Sequence, residues 1–386
     1  RICVRYECVP MRFIKHVYKI HTYAQDGCLF EGKTPVSAFL NSSYDGSFIA
    51  GLMELRYIQS LPVERIINYF ESHGFTLKKP TAHKLMEKAS SLFENLYKCI
   101  RQTALSDPYK AADETYYKIL VPEKNSKGKG VRKGYLWVVV GINTRMIYLL
   151  YDDGSRSEKV ILNELGGCKG IIQSDGYSPY RKLESDAYPH ITRIPCLQHI
   201  KRKFIDCGED EPDAKRIVEL INTLYQNEHK HKIGVDGWTV EQNLVHRKKY
   251  APDILGEIKD VLDDIEERGD LLPKSELKEA VTYLRNEWNA VVDIFNYGDT
   301  YLDNNIVERM NRYISLSRKN SLFFGSHKGA ERGAILYTIA LTCRMNKVNL
   351  FEYLTDVINR TAEWQPNTPL EKYRQLLPDR WEKAND

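Results

Sequence analysis

Two stretches decide the fold: residues 109–120, YKAADETYYKIL, and residues 134–151, GYLWVVVGINTRMIYLLY. In the first and at its end, Tyr116, Tyr117, Ile119 and the following Val121 are β-formers and predict a strand over 109–121. The second predicts two more strands, 135–142 and 145–151. The Gly- and Lys-rich segment 123–133 between them reads as an exposed hairpin tip, and Lys118, Lys124, Lys127, Lys129, Arg132 and Lys133 make this region basic. Downstream the texture alternates: a helix over 155–165, a strand over 170–174 ending at Asp175, a short helix over 177–183, a strand over 192–197 and a helix over 198–206. A three-strand meander feeding alternating helices and strands predicts an α/β fold, a mixed sheet flanked by helices.

Outward from this block, residues 209–297 carry no strand signal and read as helical. Within them, 257–270 holds seven acids against Lys259 and Arg268, a face that repels DNA and suits a scaffold or insertion. On the N-terminal side, 1–45 mixes short β-type runs (13–23) with Gly and Pro, and 46–106 is helical. There, a helix opening near Pro62 and a second one opening at Pro80-Thr81 flank Gly74, as in a helix-turn-helix or a plain helical hairpin. Lys84 and Lys88 on the second helix would face phosphates in the first case. The expected organisation is 1–45 as an N-terminal β element, 46–106 as a helical DNA-binding candidate, 107–208 as the first part of the core, 209–300 as a helical insertion, 301–345 as the helix that returns to the core, and 346–386 as a helical tail.

The bulk arithmetic is consistent with this and adds little. A length of 386 residues suggests roughly two to three domains. The 56 Lys and Arg against 52 Asp and Glu leave a net charge of +4, and 42% hydrophobic with 28% charged residues is ordinary for a folded globular chain. Disordered, collagen-like and coiled-coil classes are excluded. The eight Cys form no C-x-x-C pair, so neither a disulfide framework nor a local zinc knuckle is expected. The longest apolar runs, 135–142 and 334–343, fall short of the ~20 residues of a membrane span. The chain begins without Met or a signal-type apolar run, so we expect a cytoplasmic protein that is N-terminally incomplete.

Three acids stand out by context. Asp113 lies inside the first strand, Asp175 at the C-terminal end of the fourth, where α/β sheets place their sites, and Glu308 on a helix starting near Asp303. Brought together, three carboxylates can hold two Mg²⁺ (or Mn²⁺) ions for a phosphodiester displacement. Glu114, Asp152, Asp153 and Asp303 compete for these roles, although strand alternation turns Glu114 away from Asp113. Basic residues surround the acids: Lys201, Arg202 and Lys203 after the fifth strand, and Arg309, Arg312, Arg318 and Lys319 around Glu308. Cations that hold phosphates beside acids that hold metal describe a nuclease-like site. His199 is a candidate auxiliary, to orient a phosphate or relay a proton.

At these same blocks the sequence resembles the insertion sequence 66 family of bacterial transposases. AADETYYKIL with KGYLWVVVG resembles the family's H-A-D-E-T block and the strand after it, IIQSDGYSPY its L-Q-x-D-x-Y-x-x-Y block, and CLQHIKRKF its C-x-x-H-x-R-R-K-F block. DNNIVERMNRYISLSRKNSLFFGSHKGAERGAILYT resembles its D-N-N-x-x-E-R block with the following R-K-N-x-L-F-x-G-S, and LLPDRW its closing tail. The resemblance runs from about Tyr6 to Trp381. It implies an RNase H-like catalytic core split by a helical insertion, with Asp113, Asp175 and Glu308 as the D-D-E triad. It further implies hydrolytic nicking at element ends, strand transfer by the freed 3′-OH into target DNA, a homo-oligomer on paired ends, and accessory proteins of the element. The family's two N-terminal C-x-x-C pairs are not matched, with only YAQDGC where the second would lie, so zinc is not expected there. Readings outside full transposition are a truncated DNA-binding remnant or regulator, and an RNase H-like nuclease.

Overall fold

The computed structural model describes residues 3–383 apart from 34, 36, 40, 41, 125–127, 129, 270 and 366, so Lys127 and Lys129 of the hairpin tip lie outside the described residues. The chain opens with an exposed hairpin, β1 (Thr22–Gln25) and β2 (Cys28–Glu31), turning on Asp26 and Gly27 at positive φ. The β-type run 13–23 is strand only at its end. Phe13 instead leaves the pattern to stack on Phe70 and Phe75, its centroid 4.9 and 4.6 Å from theirs.

Helices α1 (Gly46–Met53), α2 (Val63–Ser72), α3 (Lys79–Leu92) and α4 (Glu94–Ser106) follow. Asp45 caps α1 by accepting from the Phe48 N–H, and Pro sits in the first turn of α3, where its missing N–H costs nothing. The buried faces of all four helices join one apolar cluster with the sheet and the C-terminal helices. Residues 46–106 are therefore built into the same body as the sheet.

The sheet comprises β3 (Tyr109–Leu120), β4 (Val131–Gly141), β5 (Met146–Leu150), β6 (Gly170–Ser174) and β7 (Ile191–Pro195), in the order β5-β4-β3-β6-β7. The β5, β4 and β3 strands run antiparallel, and β3–β6 and β6–β7 are parallel. The mixed sheet expected from the sequence is thus the observed one, and four of its five strands end within one or two residues of the expected bounds. The exception is β4, which starts at Val131 because β3 is long enough to pair Leu120 with it. Central strands buried on both faces are continuous apolar runs, and Leu136–Val140 is such a run with every side chain buried. Short crossovers α5 (Glu158–Leu165) and α6 (Ser178–Arg181) lead to α7 (Leu197–Ile205). Gly170 opens β6 at φ +90°, and a Cβ there would meet the Pro108 carbonyl at 2.2 Å.

The insertion is α8 (Pro212–Glu228), α9 (Val240–Arg268) and α10 (Glu276–Ile294), which share a second apolar cluster with α7 and with Ile171 and Ile194 of the sheet edge. Thr239 and Gln242 form a capping box that starts α9. The buried Arg247 pairs with Glu228 and bonds Thr300 Oγ1 at 2.7 Å, which closes the way out of the insertion. The chain then returns through α11 (Asn305–Asn320), α12 (His327–Met345), α13 (Leu350–Thr361) and α14 (Leu370–Gln375). Among the described residues no helix is long and apolar enough to cross a membrane.

Candidate active site

The last register pair between β3 and β6 is Ala111 with Gln173. Asp113 and Asp175 each stand two residues further on, so two adjacent parallel strands, spaced by ~4.8 Å, bring both acids side by side at the C-terminal end of β6. Each carboxylate is fixed locally. The Glu114 N–H donates to Asp113 Oδ1 at 2.8 Å, and the Tyr177 N–H donates to Asp175 Oδ1 at 3.0 Å.

Helix α11 lies along β3 on a face with helical spacing. Asn304, its N-cap, donates to the Ala112 carbonyl at 3.0 Å, and Asn311 donates to Asp113 Oδ2 at 2.6 Å. Glu308 sits between them in sequence, four residues after one and three before the other, on the side of α11 that packs against β3. Arg318 ends the row by bonding the Tyr116 carbonyl and stacking on the Tyr116 ring, 3.9 Å from its centroid. Asn304 and Asn311 were missed in the sequence. The signal that could have found them is their 304-308-311 spacing with Glu308.

Glu114 points away from Asp113, as alternation requires. It pairs with Arg156 and accepts from Tyr180 Oη at 3.4 Å. Burial, with the Glu114 and Asp175 charges added to it, pushes the Asp113 carboxyl up to about 7. Glu114 is likewise raised by burial, with Arg156 opposing.

Behind Asp175 stands the insertion. The Gly176 N–H donates to Tyr283 Oη of α10 at 2.9 Å, and a Cβ at 176 would meet that oxygen at 2.5 Å, so only Gly lets the phenol approach. Arg193 on β7 is fully buried. It pairs with Glu287 of α10 and with Glu184, and donates to the Asp175 carbonyl at 3.0 Å. The turn that carries Asp175 is therefore held from two sides by α10. Tyr283→Phe removes the acceptor and keeps the ring. We expect it to cost about 1 kcal/mol of stability, read as a lower urea midpoint. An unchanged midpoint would reduce Tyr283 to packing alone.

On the other flank, Cys196 is the N-cap of α7, and its buried sulfur accepts from the Asn304 N–H at 3.2 Å. Burial pushes this thiol up to about 11. His199 Nε2 is 3.9 Å from Glu308 Oε1. A cleft of about 390 Å³ opens beside these groups, lined by Arg156, Asp175, Tyr177, His199, Arg202 and Lys203 among others. Of the other basic candidates, Lys84, Arg309, Arg312 and Lys319 are exposed, and Lys201 and Lys88 are half-buried, Lys88 over the Phe39 ring at 5.4 Å. Asp152 and Asp153 fall in the turn after β5, and Asp303 caps the Asn305 N–H at 3.1 Å.

The donor set suits a hard divalent cation: three carboxylates supply oxygen ligands. Four buried polar atoms here, Glu308 Oε1, Asn304 Oδ1, Asn311 Oδ1 and His199 Nδ1, have no hydrogen-bond partner within the protein. Buried polar groups are normally paired, so such a cluster marks a place prepared for something bound.

Comparison with known proteins agrees with the motif blocks. The chain is 25% identical over 346 residues to the uncharacterized protein y4jD of Sinorhizobium fredii (strain NBRC 101917 / NGR234), a match covering 86% of this chain and 65% of that protein. It is 24% identical to y4hP and 26% identical to y4qI of the same organism, covering 98% and 95% of this chain and 70% and 69% of theirs. The chain thus spans about two thirds of the length of these curated relatives. The family model described as Transposase IS66 family matches residues 41–332, from the first helices through β3, β6 and the Glu308 helix. On a match over that much of its length, the chain belongs to the IS66 family of transposases.

Proposed function

We propose that this chain is the DNA transposase of a bacterial insertion sequence, with an RNase H-like core in which Asp113, Asp175 and Glu308 are the catalytic acids. What supports this reading is that β3 and β6 bring Asp113 and Asp175 side by side, that α11, which carries Glu308, packs on β3 through Asn304 and Asn311, and that unpaired buried acceptors lie beside a cleft lined by Arg156, Arg202 and Lys203. Two Mg²⁺ (or Mn²⁺) ions held by these three carboxylates would supply Lewis-acid activation of the attacking oxygen and charge neutralisation at the leaving one.

The chain's own residues do the rest. Asn304 and Asn311 hold α11 against β3, so Glu308 is aimed before DNA arrives. Arg202 and Lys203 in the cleft, with Lys201 on the same helix and Arg309, Arg312 and Lys319 on α11, place the phosphates. Lys84 and Lys88 on α3 extend the same role to DNA further out. In the first reaction water attacks the phosphorus at an element end, the P–O3′ bond breaks and the 3′-OH leaves. In the second, that 3′-OH attacks a target phosphodiester and displaces its 3′ oxygen. Paired ends call for a homo-oligomer on DNA, accessory proteins of the element belong to the same proposal, and the reaction takes place in the cytoplasm.

The test is cleavage of DNA carrying the element's own terminal repeats in Mg²⁺, with Asp175→Asn as control. Cleavage that survives this substitution would sink the assignment. Binding without cleavage by the unsubstituted protein would favour the remnant or regulator reading, and cleavage without regard to the terminal repeats would favour a nuclease. For Arg312→Ala we expect uniformly weaker DNA binding and a salt slope flatter by about one unit. Arg318→Ala should behave differently, because its guanidinium already bonds β3. Its loss should lower the unfolding midpoint more than the salt slope.

A further inference from the structure

A thiol, an imidazole and a carboxylate converge on the α7 flank of the candidate site. One ligand atom each from Cys196, His199 and Glu308 lies within 4.8 Å of the other two. This is a different donor set from the three carboxylates. Sulfur and imidazole nitrogen favour zinc-class ions over Mg²⁺, and three protein ligands leave a fourth position open. Around a tetrahedral ion with bonds of roughly 2.0–2.3 Å, ligand atoms stand roughly 3.3–3.8 Å apart, so the three side chains need to draw in by about 1 Å.

Two of the three residues are poised for it. Glu308 Oε1 is buried without a hydrogen-bond partner and already faces His199 Nε2 at 3.9 Å, and the other ring nitrogen, Nδ1, is buried and unpartnered as well. The third is held in place by backbone: the Asn304 N–H donates to the Cys196 sulfur, a contact that also supports a metal-bound thiolate. The sulfur sits at the N-terminus of the nine-residue α7, where negative charge is favoured.

We propose that Cys196, His199 and Glu308 form a binding site for a thiophilic divalent cation of the zinc class, and that its occupation draws Glu308 away from Asp113 and Asp175 and silences DNA cleavage. The thiol proton leaves to solvent as the metal–sulfur bond forms. The silencing half rests on the proposed role of Glu308 in cleavage, and the binding half stands on the Cys–His–Glu geometry alone.

Co²⁺ added to the metal-free full chain tests the binding half. The expected result is a thiolate-to-cobalt charge-transfer band at one equivalent, absent in Cys196→Ser, weakened in His199→Ala and kept in Asp113→Asn. No band, or one that persists in Cys196→Ser, overturns the site, since the other cysteines would then be its source. The silencing half is read in Mg²⁺-supported cleavage with and without added Zn²⁺. Zinc should lower cleavage about tenfold or more in the unsubstituted protein, and far less in Cys196→Ser measured against itself without zinc. A cobalt site with no zinc effect on an active protein overturns the silencing. A protein that never cleaves its terminal repeats in Mg²⁺ or Mn²⁺ overturns the transposase reading, while the cobalt band still decides the site.

Discussion

Asp113→Asn should abolish DNA cleavage, by about three orders of magnitude or more, and should at the same time make the metal-free protein harder to unfold at pH 8. The loss follows if Asp113 is a ligand of the catalytic ions, because an amide is neutral and a poorer ligand for a hard cation. The gain follows from the electrostatics of the carboxylate among its protein neighbours. Burial and two neighbouring acids lift Asp113 from 3.8 to about 7. An acid with a raised pKa in the folded state binds its proton more tightly there than in the unfolded chain. Its contribution is therefore most favourable below pH 4, is lost as pH rises from about 4 to 7, and is a constant penalty above that.

Three units at 1.36 kcal/mol each bound the penalty at about 4 kcal/mol. Asp113 is half-buried, so solvent screening leaves an expected gain on the order of 1–2 kcal/mol for the amide. The local geometry accepts the change. The Glu114 N–H still finds an oxygen, and the unpaired Asn311 Oδ1 can turn to accept from the new NH₂ group. Urea midpoints in chelator at pH 4 and pH 8 check this. The two proteins should agree at pH 4 and separate at pH 8, and equal midpoints at pH 8 would show that Asp113 carries no such penalty. Added Mg²⁺ should then stabilise the unsubstituted protein far more than the variant.

The second large effect is expected at Glu287 on α10, outside the elements that carry the three acids. Its carboxylate and the Arg193 guanidinium are both fully buried and bonded to each other. Glu287→Ala leaves a buried cation with Glu184 as its remaining ion-pair partner, and breaking a buried pair in this way costs about 3–5 kcal/mol. Because Arg193 also donates to the Asp175 carbonyl, the loosened guanidinium should unsettle the turn that carries that acid. We expect a lower urea midpoint together with cleavage reduced more than tenfold. Glu287→Gln, which keeps an oxygen acceptor, should recover part of both. A variant with an unchanged midpoint would show that the insertion does not brace the sheet through this pair.

These two residues differ in how legible they are. Asp113 stood out in the sequence by its place inside the first strand. Asp175 was visible at a strand's end before a turn, and Glu308 in a helix dense with arginine. Strand alternation also separated Asp113 from Glu114, and the structure gives Glu114 to Arg156 and Tyr180. Glu287 gave no signal: inside α10 it reads as one more acid on an amphipathic helix. Arg318 read as a phosphate contact, yet its guanidinium is occupied by β3.

What the sequence by itself determined are the features set by local periodicity and composition: the order of strands and helices, the helical insertion and the hairpin. What only the tertiary structure decided is which distant groups meet: Asn311 with Asp113, Arg193 with Glu287, Tyr283 with Gly176, and Cys196 with His199 and Glu308. The physical reason is the range of the forces involved. Side-chain period and turn chemistry act over a few residues and are written in the chain. Partners for buried polar groups are chosen by the packing of whole elements, and α11 meets β3 across almost 200 residues of sequence.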